Sequence, residues 1–303
     1  MYARLLVPLD GSHLAETVLP TVQRLAIAWD ATVLLLHVIE RGAPEAVHGD
    51  RHLTTVAEAS PYLEGLSYRL RSQGVSVETH AHPAPESDVA TSIVEHSEEG
   101  RADLIVLCTH GRGRVRDLLF GRIAQQVLRR GSAPVLLIRP AEDSGIVGLD
   151  PHRVLVALDS TIAAEATLLP AHAFACALGA SLHLVMVVPT QETLRGDRSA
   201  VGTFMPAATR ATLELEETQA QTYLASTAER LSKVAPSVPI TTEVSRGEPS
   251  ALLAARAAAA DVGLIAIATH GRAGLQAIWA GSVAAQLLAR TRAPLLLLRT
   301  VES

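Results

Sequence analysis

The tetrapeptide Thr-His-Gly-Arg stands twice in this chain, at Thr109–Arg112 and at Thr269–Arg272, each time directly after an apolar run of strand length. Ten residues beyond the glycine of each copy comes another, Gly121 or Gly281, placed to open a helix. Gly111 and Gly271, just past a strand end, have no side chain to block a ligand's approach to backbone N–H groups. A helix entrance offers free N–H groups and the positive end of the helix dipole, which together attract anions. Arg112 and Arg272 bring positive charge to each turn, and Ser282 adds a hydroxyl donor suited to a phosphate oxygen. Arg122 replaces that serine in the first copy, where it can clamp a phosphate through paired bonds or fill its place with bulk. Asp10 and Asp159 end the first apolar run of each half, placed either to cap the next helix or to face a ligand. This is the chemistry of main-chain anion binding, although glycines also serve tight strand-to-helix packing.

The remaining reactive residue types point less clearly. His110 and His270 have no nucleophile or partner acid nearby in sequence, so they read as loop histidines rather than catalytic bases. His80 and His82 alternate onto one face of a strand, but no third ligand stands at a telling spacing. They read as a solvated pair, and no metal site is expected. Cys108 ends the apolar run before the first turn, as a small filler or a redox-sensitive thiol. Phe120 and Trp279, just before Gly121 and Gly281, suit packing of the turn or domain pairing better than base stacking.

The elements that must position these turns are themselves duplicated. Leu104–Arg139 aligns without a gap on Leu264–Arg299, at a constant offset of 160. A repeat this long means duplicated domains rather than a solenoid, whose periods run roughly 20–50 residues. The division expected is a first domain over 1–140, a linker over 141–151 and a second domain over 152–303. Each half reads as five apolar strands alternating with four helices. In the first half the strands are Arg4–Leu9, Thr32–Ile39, Val75–His80, the run before Thr109, and Pro134–Arg139. A helix over His13–Trp29 follows the first strand, with Ser12 or Asp10 at its cap, and another covers Leu53–Ser72. The second half repeats the order with about 15 extra residues between its second and third strands. The excursion Pro189–Ala207 reads as mobile and longer than its counterpart, and a helix is expected over Thr209–Val234. Strands with almost no polar alternation are buried on both faces, so the fold class is α/β with doubly wound, five-stranded parallel sheets and right-handed crossovers.

Composition narrows the function. At 303 residues the chain has length for two cores, and its net charge of −5 argues against bulk nucleic-acid affinity. No run approaches the ~18 uncharged apolar residues of a membrane helix. Asp10 and Gly11 interrupt the N-terminal apolar run, and only two cysteines occur, so a cytoplasmic location is expected. A Gly-x4-Gly-Lys-Ser/Thr loop and a Gly-x-Gly-x-x-Gly turn after the first strand are both missing, which excludes a P-loop NTPase and disfavours a dinucleotide site.

On these residues the chain resembles the universal stress protein family in its tandem form. Its nucleotide-binding members carry Gly-x2-Gly-x9-Gly followed by Ser or Thr. The second copy keeps this from Ala268 through Gly271 to Gly281-Ser282, with Ala for the first Gly. The first copy departs twice, with Cys108 for that Gly and Arg122 for the hydroxyl residue. Gly247-Glu248-Pro249 also fits the family pattern, whereas Pro83-Ala84-Pro85 has lost its glycine.

The resemblance implies a Rossmann-like fold of the adenine nucleotide alpha hydrolase type, and ATP, ADP or AMP as ligand, with Mg2+. Asp10 or Asp159 would sit beside the adenine or ribose, and Val38 or Val187 would offer main-chain groups to the adenine edge. Gly271, Gly281, Ser282 and Val283 would hold ribose and phosphates, flanked by Ala268, His270 and Arg272. Gly111, Arg112, Gly121 and Arg122 would be their counterparts in a poorer first site. It also implies pairing of the two domains through the final strands about a pseudo-two-fold axis, with a homodimer as a further assembly. A protein-interaction scaffold without nucleotide and a weak ATPase stay open as alternatives.

Overall fold

The structure is a computed structural model that describes residues 2–40, 46–47, 49–84, 88–108, 122–139, 152–194, 196–258, 262–270 and 283–300. Contacts group the chain into two units, Met1–Leu149 with Pro294–Arg299, and Asp150–Ala293 with Thr300–Ser303.

The first unit contains β1 (Arg4–Pro8), α1 (His13–Glu16), α2 (Leu19–Trp29), β2 (Thr32–Glu40), a small hairpin of β3 (Ala46–Val47) and β4 (Asp50–Arg51), α3 (Val56–Arg71), β5 (Ser76–Ala84), α4 (Val89–Glu99), β6 (Leu104–Cys108), α5 (Arg122–Arg130) and β7 (Val135–Ile138). Its parallel strands lie in the order β5-β2-β1-β6-β7. Leu5, Leu6 and Val7 of β1 and Leu104, Ile105 and Val106 of β6 are fully buried, as strands covered on both faces must be. The order reverses between β1 and β6, and the carboxyl ends of strands beside such a switch point form the crevice where open α/β sheets take ligands.

The second copy runs through β8 (Arg153–Leu158), α6 (Ile162–Glu165), α7 (Leu168–Leu178), β9 (Ser181–Val188), α8 (Asp197–Phe204), α9 (Pro206–Val234), β10 (Ile240–Arg246), α10 (Pro249–Ala257), β11 (Val262–His270), α11 (Val283–Arg290) and β12 (Leu295–Thr300). In its unit the parallel order is β10-β9-β8-β11, with the same reversal between β8 and β11. Residues Leu295, Leu296 and Leu297 of β12 group with the first unit, antiparallel to Leu137, Leu136 and Val135.

Several elements differ from the sequence expectation for local reasons. The first helix of each copy is two helices. The Thr17 and Thr167 hydroxyls donate back to the carbonyls of Leu14 and Ala164, at 2.7 and 2.6 Å. Pro20 and Pro170 follow and have no N–H to continue the ladder. The excursion after β9 holds a 3-10 turn, Gln191–Thr193, and α8. Helix α9 begins at Pro206 and buries Leu213, Ala220, Leu224, Thr227 and Leu231, a stripe at alternating three- and four-residue spacing after the first step. Strand β5 continues past His80 to Ala84, which takes His82 into the sheet.

Candidate functional site

At the carboxyl end of β1, Asp10 and Ser12 build a tight turn. The Asp10 Oδ1 accepts from the Ser12 N–H at 2.9 Å and from its hydroxyl at 2.6 Å. Ser12 in turn accepts from the Ala15 N–H at 3.1 Å, so Ser12, not Asp10, caps α1. The second copy repeats the arrangement with Asp159, Thr161 and Ala164, at 3.1, 2.6 and 3.1 Å. The residue between is left-handed in both, Gly11 at φ +87° and Ser160 at φ +64°. Glycine is required in the first copy, because a Cβ there would stand 2.9 Å from Leu53 Cγ. Among the described residues Asp159 is exposed and bonds only to Thr161, through Oδ1. A carboxylate oriented by its own turn, rather than spent on capping, leaves its second oxygen for another donor.

Asp159, Val187 and Ala268 lie at the carboxyl ends of the neighbouring strands β8, β9 and β11. Val187 is half-buried and paired with Ser245 on β10, and its counterpart Val38 is buried and paired with His82 on β5. Val283 opens α11. Gly111, Arg112, Gly121, Gly271, Arg272, Gly281 and Ser282 lie outside the described residues, as do the side chains of Arg122 and His270.

Cys108 ends β6 where the second copy has Ala268. Its thiol lies 3.3 Å from the Leu14 carbonyl and 3.6 Å from the Thr17 hydroxyl, wedged against α1. Burial first, and the charge of Asp10 second, push its pKa up to about 11 against the Thr17 hydrogen bond. A thiol held protonated is a poor nucleophile. Iodoacetamide at pH 8 is therefore expected to label the exposed Cys176 in the folded protein and leave Cys108 unmodified. Peptide mass mapping after denaturation should then find both labelled; equal labelling in the native state would contradict the wedge.

Glu248 has a structural role that its tripeptide did not announce. Its carboxylate caps α10, accepting from the N–H groups of Ser250 and Ala251 at 3.2 and 2.8 Å, and pairs with Arg290 of α11 at 2.5 Å. Burial raises its pKa, but the hydrogen bonds from Ser250 and Ala251 and the pair with Arg290 outweigh it and hold the carboxyl below its ordinary range. Asp88 does the same for α4 and α5, accepting from the Thr91 N–H at 2.9 Å and pairing with Arg130 at 2.6 Å.

The profile of the universal stress proteins matches residues 1–139 and again 151–299. The chain belongs to the universal stress protein family. Among its relatives, a universal stress protein of Mycobacterium tuberculosis H37Rv is 30% identical over 211 residues, covering 69% of this chain and 65% of the relative. A universal stress protein of Bacillus subtilis is 26% identical over 156 residues, 46% of this chain and 100% of its own. The crystal structure of one from Archaeoglobus fulgidus superposes with a TM-score of 0.69 at 19% identity, covering 98% of both chains, which establishes the shared tandem α/β fold. Among the described residues of this universal stress protein, no helix is long and apolar enough to cross a membrane.

The first domain of the protein also gathers a cluster that sequence spacing did not show. His80 and His82 share a face of β5, as alternation requires, and His96 of α4 packs onto them. The His96 ring centroid lies 4.8 Å from that of His80 and 4.4 Å from that of His82. Burial, then the neighbouring His96, lower the pKa of both strand histidines. His96 was missed because strand alternation names only partners on its own strand, and a helix contact sixteen or fourteen residues away leaves no period.

Proposed function

We propose that this universal stress protein binds ATP or a related adenine nucleotide as a regulatory ligand, with the second domain as the better site. The observation that carries the reading is the run from Ala268 through Gly271 to Gly281-Ser282, which leaves β11 beside the switch point where Asp159 ends β8. In this reading the Asp159 carboxylate, pre-oriented by Thr161, takes a ribose or adenine donor, and Val187 offers its main chain to the base. Gly271, Gly281, Ser282 and Val283 hold the phosphates, and Mg2+, where present, is held mainly by phosphate oxygens. The protein's part is to bind and orient. Among the described residues no side chain is placed as a general base for in-line attack, so phosphate release is expected to stay at background.

Support for the asymmetry comes from Cys108 and Arg122. The Cys108 thiol leans on α1 where the second copy has the methyl group of Ala268, and in sequence Arg122 takes the place of Ser282. The same two residues favour a second reading for the first domain alone, an interaction scaffold without nucleotide.

Calorimetry on nucleotide-stripped protein with ATP, ADP and AMP tests the reading. One saturable high-affinity site is expected. Asp159→Ala should weaken it about tenfold, the equivalent of ~1.5 kcal/mol for one charge-assisted bond, while Asp10→Ala should leave it nearly unchanged. Binding indifferent to Asp159→Ala would remove the second-domain site.

A further inference from the structure

We propose that the first domain carries a transition-metal site, a three-histidine set of His80, His82 and His96 suited to Zn2+. One nitrogen from each ring falls within 4.8 Å of the other two. A tetrahedral ion with Zn–N bonds of ~2.0–2.1 Å places its nitrogens about 3.3 Å apart, so small ring rotations close the set. Those rotations are open to them. β5 ends the parallel strand order of its unit, His80 is exposed, and the three rings face a cleft of about 490 Å³.

The supporting groups suit a cation. His96 donates from Nδ1 to the Ser92 carbonyl at 2.8 Å, which fixes its tautomer and leaves the Nε2 lone pair for a ligand bond. Such a backbone partner for the second ring nitrogen is the usual support of a metal-bound histidine. Glu95 and Glu99 of α4 line the same cleft and supply negative charge. Its one lining guanidinium among the described residues, Arg4, is paired with Glu78 at 2.7 Å. Three neutral imidazoles with an open fourth position match zinc and its neighbours among the first-row ions.

The other domain shows what the same elements hold when no ligand is intended. Strand register makes Glu243 the counterpart of His80, since Leu36 pairs with His80 and Val185 with Glu243. By the same register Ser245 stands for His82. The matched caps Asp88 and Glu248 place Arg256 opposite His96. There the groups satisfy one another: Arg256 pairs with Glu243 at 2.6 Å, and the Ser245 hydroxyl donates to the same carboxylate at 2.5 Å. In the first domain that self-contained network is replaced by three rings whose common feature is a lone pair. Neither the family pattern nor the nucleotide reading involves these positions.

The test is Zn2+ titration of the full chain, free of any affinity tag and of nucleotide, by calorimetry. Co2+ serves as the spectroscopic probe. The wild type is expected to take one equivalent with micromolar affinity, and Co2+ to develop visible d–d absorption that Zn2+ abolishes. His82→Gln and His96→Gln should each weaken binding roughly tenfold to a hundredfold. The triple variant His80→Gln, His82→Gln, His96→Gln should lose the site, with its metal-free circular dichroism and melting temperature kept. His152→Gln, at the start of the second unit, should bind as the wild type does. Equal Zn2+ uptake by the wild type and the triple variant, or none by the wild type, would overturn the proposal. Either result leaves the ATP titration untouched.

Discussion

Gly281→Val is expected to weaken ATP binding to the second domain at least a hundredfold, the largest binding effect of any single substitution in this chain. The residue stands two positions before Val283, where α11 opens. A helix of this kind begins with N–H groups that have no carbonyl partner within the helix, and they are reachable by phosphate only if the residues before them are small. A branched side chain there screens the donors by bulk. Losing two hydrogen bonds to a charged group at ~1.5 kcal/mol each amounts to about 3 kcal/mol, or roughly a hundredfold. Gly121→Val in the first copy should change ATP affinity little, because Arg122 and Cys108 already disfavour that site. Calorimetry on both variants, with thermal melts to show that each remains folded, makes the comparison. If Gly281→Val binds ATP as the wild type does, the phosphate end of the site lies elsewhere.

Phe174→Ala is expected to destabilise the second domain by about 3–5 kcal/mol, the range for truncating a fully buried phenylalanine. Phe174 is 0% exposed and is the bulkiest of the fully buried side chains among the described residues, in a chain with only three phenylalanines. It sits in the middle of α7, the helix that covers β8 and β9, among small residues such as Ala171 and Ala175. Alanine neighbours cannot move in to refill the space, so the cavity persists and the energy falls toward the upper end of the range. The transition of that domain should drop by roughly 10 °C in a thermal melt. Phe174→Leu, which keeps most of the volume, should lose far less. A shift of only a degree or two for Phe174→Ala would mean that the packing around α7 is looser than it stands here.

The two expectations draw on different kinds of information. Gly281 is legible because its function is the absence of a side chain at a place named by a repeat, and the repeat is visible without any coordinates. The core role of Phe174 is only partly so: an apolar residue in an Ala-rich helix faces inward on one side, but its zero exposure is set by β8 and β9. Asp10 and Asp159 lay between these cases. Their place at strand ends is readable, with ligand contact as the leading role and capping as the alternative, but only the fold shows Ser12 and Thr161 accepting the helix N–H bonds themselves. Glu248 went the other way, from a residue of a family tripeptide to the cap that ties α10 to α11.

Errors in the elements follow the same division. The broken first helix could be traced to Pro20 and Pro170, both visible in sequence, but the Thr17 and Thr167 back-bonds that complete the break depend on side-chain rotamers. The helix α8 inside the excursion after β9 is only eight residues long and buries only Gly202, so it has no core-facing stripe for the sequence to show.

By itself the amino-acid order determined the duplication, the alternation of strands and helices, and the glycine turns at strand ends, since each is written in local spacing or in a period that the backbone imposes. The tertiary structure alone decided which side chains meet across elements: His96 with His80 and His82, Arg130 with Asp88, Cys108 with α1. Such meetings arise from the register of parallel strands and the rotation of helices upon them, geometric quantities that no short stretch of residues encodes.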